Sequence, residues 1–195
     1  MIAFTATEHA VPIELEYHSF ELAPDTPVEF TGSEIEFLMT HRGVLAEQAR
    51  IMIDRVVGIA RDAGLDYDYD SLQHTNTIEA HQLLHFAKEH GLQLEMKERL
   101  LSAYFVEGRH VGRIEDLADL AAEIGLDRAD VIRSLEADDH LEAVAADMEQ
   151  ARQYGINGVP FFIIDGRYGI SGAQRPEVFV EVLARAAADR AEQPA

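Results

Sequence analysis

Two imidazoles stand one helical turn apart in "AHQLLHFAKE", at His81 and His85, and Glu89 follows one turn later. On a helix this spacing puts all three side chains on one face, as zinc ligands require. The residue after the first histidine is Gln82, where a His-Glu-x-x-His hydrolase carries its glutamate base, and no position nominates a third ligand. The pair reads as packing or surface histidines, and no metal site is expected. A second grouping is Gly158-Val159-Pro160, which opens the apolar run "PFFII". A proline at the start of a strand removes one ladder donor. Locally it is either an edge-strand proline or a device that turns its neighbour's backbone out of the sheet. A third is Asn76, heading "NTIEAHQLLHFAKEHGL", whose plain role is a helix cap worth about 1 kcal/mol. The chain has no cysteine, which excludes a disulfide scaffold, a zinc-thiolate site and a cysteine nucleophile from its own residues. No Ser-His-Asp motif, phosphate-binding glycine loop or carboxylate pair stands out.

The elements that must position these residues follow from periodicity. "IELEYHSFEL" alternates Ile13, Leu15 and Tyr17 with Glu14, Glu16 and His18, the pattern of a strand with one buried face. A long helical region follows, opened by the capping pair Ser33 and Glu36, with apolar residues recurring from Leu45 to Ala60. Asn76 and Glu79 make a second capping pair. Helical segments then end at Gly91, Gly108, Gly125 and Gly155, as left-handed C-terminal positions favour. After Gly155 the period becomes that of strands: "PFFII", an Asp165-Gly166 turn of the hairpin type, and "RYGIS". Pro176 stands near the start of a last helix, where its missing N–H costs nothing, and the tail "AAADRAEQPA" is expected to fray. Strand, helices, hairpin, helix is the order of an α/β sheet domain interrupted by a helical insertion.

Acidic residues outnumber basic ones 36 to 16, a net charge of −20. Such a surface repels phosphate backbones and anionic membranes, so neither nucleic acid nor a membrane is expected as a partner. No window reaches the roughly 20 apolar residues of a membrane helix, and the first residues lack a basic segment followed by an apolar run. The cytoplasm is the expected compartment.

The stretch "GINGVPFFIIDGRYGISGAQRPEVFVEVL", with "HSFEL", "NTIEAH" and "YFVEGRHVG" in the same order, resembles the DsbA-like thioredoxin-fold family, in its FrnE-type disulfide oxidoreductase branch. The fold class implied is α/β: a thioredoxin-like (DsbA-like) sheet domain with an all-α helical insertion, N-terminally incomplete. The sheet domain would comprise residues 1–30 and 155–195, and residues 31–154 the helical insertion and connecting helices. The resemblance implies a cis bond at Val159–Pro160, with the Val159 backbone turned toward an extended peptide or a small thiol. Gly158, Val159 and Pro160 are therefore the expected substrate-binding residues. In the family, a first strand leads to a Cys-x-x-Cys at a helix N-terminus, and that pair performs thiol–disulfide exchange. No counterpart exists in this chain, so no catalytic residue is assigned and no dithiol chemistry is expected from it as given. The strand, Cys-x-x-Cys and helix segment itself reads as absent, through a late start or a truncation. Residues Met1 to Phe4, a second copy or a rearranged sheet would have to fill its place, and exposed strand edges would favour a homodimer.

Two other readings stand beside the oxidoreductase. One is a non-redox, peptide-binding or chaperone-like module. The other follows a resemblance to glutathione-dependent isomerases and transferases, and would place glutathione or mycothiol at Asn76 and the Gly172-Ala173-Gln174 turn. Partners by family are protein dithiols and disulfides or small thiols, and no cofactor is implied.

Overall fold

The computed structural model describes residues 12–191. Among them are eight helices and two strands: α1 (Glu34–Arg42), α2 (Ala46–Asp62), α3 (Ile78–Glu89), α4 (Gln93–Phe105), α5 (Ile114–Glu123), α6 (Arg128–Glu136), α7 (Leu141–Gln153), β1 (Phe161–Ile164), β2 (Tyr168–Ser171) and α8 (Pro176–Ala191). The chain divides into two compact units. Glu16–Glu149 is a helical unit; Met1–Leu15 with Gln150–Ala195 forms the other, here the hairpin unit.

The helical unit is built on α3–α6. Leu83, Met96, Leu117, Leu120 and Val131 are fully buried there. Helix α3 presents Ala80, Leu83, Leu84, Phe86 and Ala87 inward, the spacing of a wide apolar stripe. The expected long helical region is two helices. Gly43 takes a left-handed φ of 64° and ends α1, and α2 restarts after Leu45. The Ser33–Glu36 capping box forms as expected, each partner satisfying the other's backbone.

Two local expectations are corrected. The first concerns Asn76 and Glu79. The N-cap of α3 is Thr77, one residue late; the Asn76 side chain accepts from the Ile78 amide at 2.8 Å, and the Asn76 amide donates to the Pro27 carbonyl. Glu79 cannot reach back, because it accepts instead from the buried Gln82. The second concerns the strand expected at Ile13–Leu22. Residues 12–21 join no ladder, and Ile13 and Leu15 are 53% and 50% exposed. An alternating pattern makes a strand only where a neighbouring strand offers its backbone. Here side chains substitute. Gln93 accepts from the Tyr17 amide at 3.0 Å and donates to the Tyr17 carbonyl at 2.9 Å, while Asp147 accepts from the Ser19 amide at 2.7 Å. The segment's backbone is thus partnered by helices α4 and α7.

In the hairpin unit β1 and β2 pair antiparallel, Phe161 opposite Ser171 and Ile164 opposite Tyr168. Asp165 and Gly166 both have positive φ, and the Arg167 amide closes the turn on the Ile164 carbonyl at 3.1 Å. Helix α8 opens at Pro176 and packs on the hairpin, with the Phe162 and Phe179 rings edge to face at 4.8 Å. The expected fraying tail is helical as far as Ala191. Residues Met1 to Phe4, invoked above as a filler of the sheet, lie outside the described residues.

Candidate functional site

The loop between α7 and β1 carries the residues singled out around the proline. It leaves α7 through Gly155, at φ 69°, where the Ile156 amide returns to the Ala151 carbonyl at 2.9 Å. Such a left-handed residue lets the chain leave the helix axis and turn toward the sheet. Asn157 then stiffens the loop by donating to the Gly155 carbonyl at 3.1 Å. The Val159–Pro160 peptide bond is cis. Past it, the Pro160 carbonyl accepts from the Gly172 amide at 2.9 Å, so the proline is tied to the far end of β2.

A shallow groove of about 380 Å³ lies over this loop. It is lined by the residues from Gly155 to Phe161 and by Ser171 and Gly172. Val159 is 48% exposed, and among the described residues no hydrogen bond reaches its amide or its carbonyl. An open, unpaired donor and acceptor on one residue can receive an extended chain as an added strand. Added side chains at Gly158 would meet nothing within 4 Å, so the groove stays open at that point.

Gly158, Val159, Pro160 and Gly172 therefore share one groove, while Ala173 and Gln174 lie just beyond it. Gln174 is engaged with its own turn: its side chain donates to the Ser171 carbonyl at 2.8 Å and its amide to the Gly172 carbonyl at 3.0 Å. Asn76 belongs to the helical unit, and both ends of its side chain are used. The nitrogen donates to the Pro24 carbonyl and the Glu21 carboxylate at 3.1 and 3.2 Å, and the oxygen accepts from Ile78. Its observed work is to hold the loop at Pro24 against the start of α3.

The histidine pair separates into two environments. His81 is half-buried, its Nδ1 is enclosed without a partner, and desolvation, helped by nearby Lys97, pushes its pKa down to about 4. His85 instead lies 3.1 Å from an Asp147 oxygen and 3.2 Å from the Ser19 hydroxyl; burial lowers its pKa and Asp147 partly offsets this. His18 donates to the other Asp147 oxygen at 2.7 Å. Ser19, His85 and Asp147 are thus adjacent, but one imidazole nitrogen faces both the hydroxyl and the carboxylate. A relay needs opposite ring nitrogens for the two partners, and the serine is 4% exposed, so this is a clamp on the Tyr17–Ser19 segment and no nucleophile. Glu89 turns to His140 at 3.9 Å. Among the described residues no group of histidines and carboxylates could hold a metal ion. Gln93 and Asp147, which do the pinning, carry no sequence signal; each sits in an ordinary helical pattern.

The model of the DSBA-like thioredoxin domain matches residues 3–184. The chain belongs to that family. A crystal structure of a probable DsbA oxidoreductase from Streptomyces coelicolor is 35% identical, with a TM-score of 0.80, covering 91% of this chain and 76% of that one. The uncharacterized protein YwbO of Bacillus subtilis (strain 168) is 32% identical over 127 residues, which are 64% of this chain and 63% of YwbO. The chain thus spans less than two thirds of the length of that relative. The fold is the DsbA-like thioredoxin fold, carried here by many helices and a small sheet. Among the described residues no helix is long and apolar enough to cross a membrane.

Proposed function

We propose that this DSBA-like chain provides the substrate-docking half of a FrnE-type thiol–disulfide oxidoreductase. An extended polypeptide lies along the groove, its backbone paired with the amide and carbonyl of Val159, flanked by Gly158 and Pro160. The observation that carries the reading is the Val159 backbone, unpartnered among the described residues and part of the lining of an open groove. The family and the similarity to a probable DsbA oxidoreductase support a polypeptide near a cysteine or a disulfide as the occupant. The chemistry of exchange needs a thiolate, and this chain has none. Its residues bind and orient; the sulfur couple is supplied by another chain or segment. The cytoplasmic setting expected from the sequence goes with this role.

The test is an amide-shift titration of the isotope-labelled chain with a blocked heptapeptide centred on S-methylcysteine. The Val159 and Gly158 signals are expected to move with saturation, and N-methylation of the peptide's central amides should abolish the effect. Shifts confined to the helical unit, or none at millimolar peptide, overturn the docking site. In parallel, the chain alone should show no insulin reduction above the dithiothreitol blank. Turnover there would show that the chemistry does not need a thiolate pair of this kind.

A further inference from the structure

Glu79 and Asp138 bring two carboxylates to one buried amide. Glu79 stands in the first turn of α3 and Gln82 three residues on, so both face one side of that helix. Asp138 follows the end of α6, which packs against α3. The Gln82 nitrogen donates to Glu79 at 3.2 Å and to Asp138 at 3.1 Å. Elsewhere in the helical unit Arg99, Arg109, Arg113, Arg128 and Arg133 neutralise carboxylates in ion pairs. Among the described residues neither Glu79 nor Asp138 is in one. Two carboxylates without a cation thus converge on a neutral amide, and Asp138 also lies at the negative end of the α6 dipole.

The amide itself points to a ligand. Gln82 is 0% exposed, and its Oε1 is enclosed without a hydrogen-bond partner. Buried polar atoms ordinarily have one. The nitrogen and oxygen of a glutamine amide exchange places by a half-turn about its last bond. The end away from the carboxylates is unbonded, so nothing there holds the amide one way round. What stands between the carboxylates decides. With nothing there, the N–H groups face them. With a cation there, the carbonyl faces them, and Oε1 gains the partner it lacks, while the two N–H bonds give way to carboxylate bonds to the ion. Glu79, Asp138 and the turned Gln82 then offer three oxygens, two of them charged. Histidines and carboxylates alone make no group of three here; the third donor is the amide. Oxygen donors suit a hard divalent ion, which keeps water in its remaining positions. Asp138 is exposed, so ion and water reach the site.

We propose that a hard divalent cation, Mg²⁺ or Ca²⁺, binds between α3 and α6 on Glu79, Asp138 and the Gln82 carbonyl. The site is independent of the groove at Val159. An ion there ties the start of α3 to the end of α6, and because the unfolded chain has no such site, it stabilises the helical unit.

The probes are magnesium chloride and calcium chloride, titrated into the full isotope-labelled chain. Sodium chloride at matched ionic strength controls for the net charge of −20. The Gln82 side-chain amide signals are expected to shift and saturate, with a Kd of roughly 10⁻⁴–10⁻³ M. Saturation by either salt supports the site, and the lower Kd names the ion. Asp138→Asn, at an exposed position, should weaken binding by about tenfold or more, and Asp54→Asn, exposed on α2, should leave it unchanged. Gln82→Glu supplies a third carboxylate and should tighten it. Shifts that grow without saturating up to about 20 mM, that spread evenly over the acidic surface, or that sodium chloride reproduces overturn the site. So does an Asp138→Asn chain that binds as the wild type does, an equal loss in Asp54→Asn, or a Gln82→Glu chain that folds and binds no more tightly. If Gln82→Glu fails to fold, Asp138→Asn decides alone.

Discussion

The helical unit and the hairpin unit are assembled in opposite ways. In the first, α3–α6 enclose a continuous core, and most polar groups at its rim are spoken for: Gln93 on Tyr17, Asp147 on Ser19, Arg99 on Glu107 and Glu123. In the second, Ile170, Phe179 and Ala186 are the buried apolar residues among those described from Gln150 on, and the hairpin and the loop before it show Ile163 and Val159 to water. Charge follows the same division, with five acidic and five basic residues in Gln150–Ala195 against the acidic excess of the helical unit. A two-stranded sheet with one helix is marginal by itself. The comparison teaches that a site and a core can be allotted to different parts of one fold. The part with spare hydrogen-bonding capacity is the part proposed to bind.

The sharpest way to break this contrast is to delete equal volumes from each side. Leu83 is 0% exposed at the centre of the helical core, so Leu83→Ala should cost about 3 kcal/mol, the transfer loss plus a cavity that neighbouring helices cannot fill. Ile163, 44% exposed, should cost within about 0.5 kcal/mol as Ile163→Ala. Urea unfolding followed by circular dichroism measures both. Similar losses would mean that the hairpin belongs to the same cooperative core.

Acid should divide the units next. His81 falls from an ordinary pKa of 6.5 to about 4 because it is desolvated near Lys97 and His85, with Asp147 pulling weakly the other way. The unfolded chain therefore binds a proton that the folded chain refuses between pH 6.5 and 4. Stability is complete above pH 6.5 and declines as pH falls toward 4, by up to about 3 kcal/mol. His81→Gln should flatten that slope, as read by midpoint urea concentrations across the range. His85 and His110 are also lowered by burial and add to the slope in both proteins. An unchanged slope in the variant would assign the effect to them.

Two glycines test the same contrast through sterics. A Cβ on Gly112 would lie 2.2 Å from the Thr75 hydroxyl and 2.6 Å from the Asn76 carbonyl. Thr75 cannot yield freely, because its hydroxyl donates to the Val28 carbonyl at 2.8 Å. Gly112→Ala should therefore cost about 2 kcal/mol, the usual penalty of overpacking. Gly158→Ala, with nothing within 4 Å, should be neutral or slightly stabilising by thermal denaturation. A loss at Gly158 equal to that at Gly112 would show that the groove is packed more tightly than its exposure indicates.

These contrasts also mark what could be read in the sequence. The hairpin, its turn at Asp165-Gly166 and the proline at the head of α8 were legible, because turn chemistry and proline position are local properties. The helix ends at Gly43, Gly91, Gly125 and Gly155 are local too, although the break at Gly43 lies inside what periodicity presents as one helical region. The strand at Ile13–Leu22 was not legible as what it is. Alternation records which side chains could face a sheet, and whether a sheet edge is there depends on the rest of the chain. The same limit holds for Gln93 and Asp147, whose roles come from tertiary placement. At the groove, the proline and its neighbours are visible as a motif. That Val159 keeps its backbone unpartnered emerges only when every bond in the loop is accounted for.

The smallest expected effect probes the edge of the helical unit. Helix α1 stands outside the α3–α6 core and holds its first turn through the Ser33–Glu36 box, with the Ser33 amide donating to Glu36 at 2.7 Å and the Glu36 amide to the Ser33 hydroxyl at 3.3 Å. Ser33→Ala removes one of these bonds and leaves an N-terminal amide to water, a loss of about 1 kcal/mol. Because α1 is the support of α2, the loss should be local. Hydrogen exchange at residues 34–42 and 46–62 should quicken together, while α3–α6 stay protected. Exchange that quickens across the whole helical unit would instead mean that α1 and α2 fold with the core as one cooperative block, and the boundary drawn above would have to move inside it.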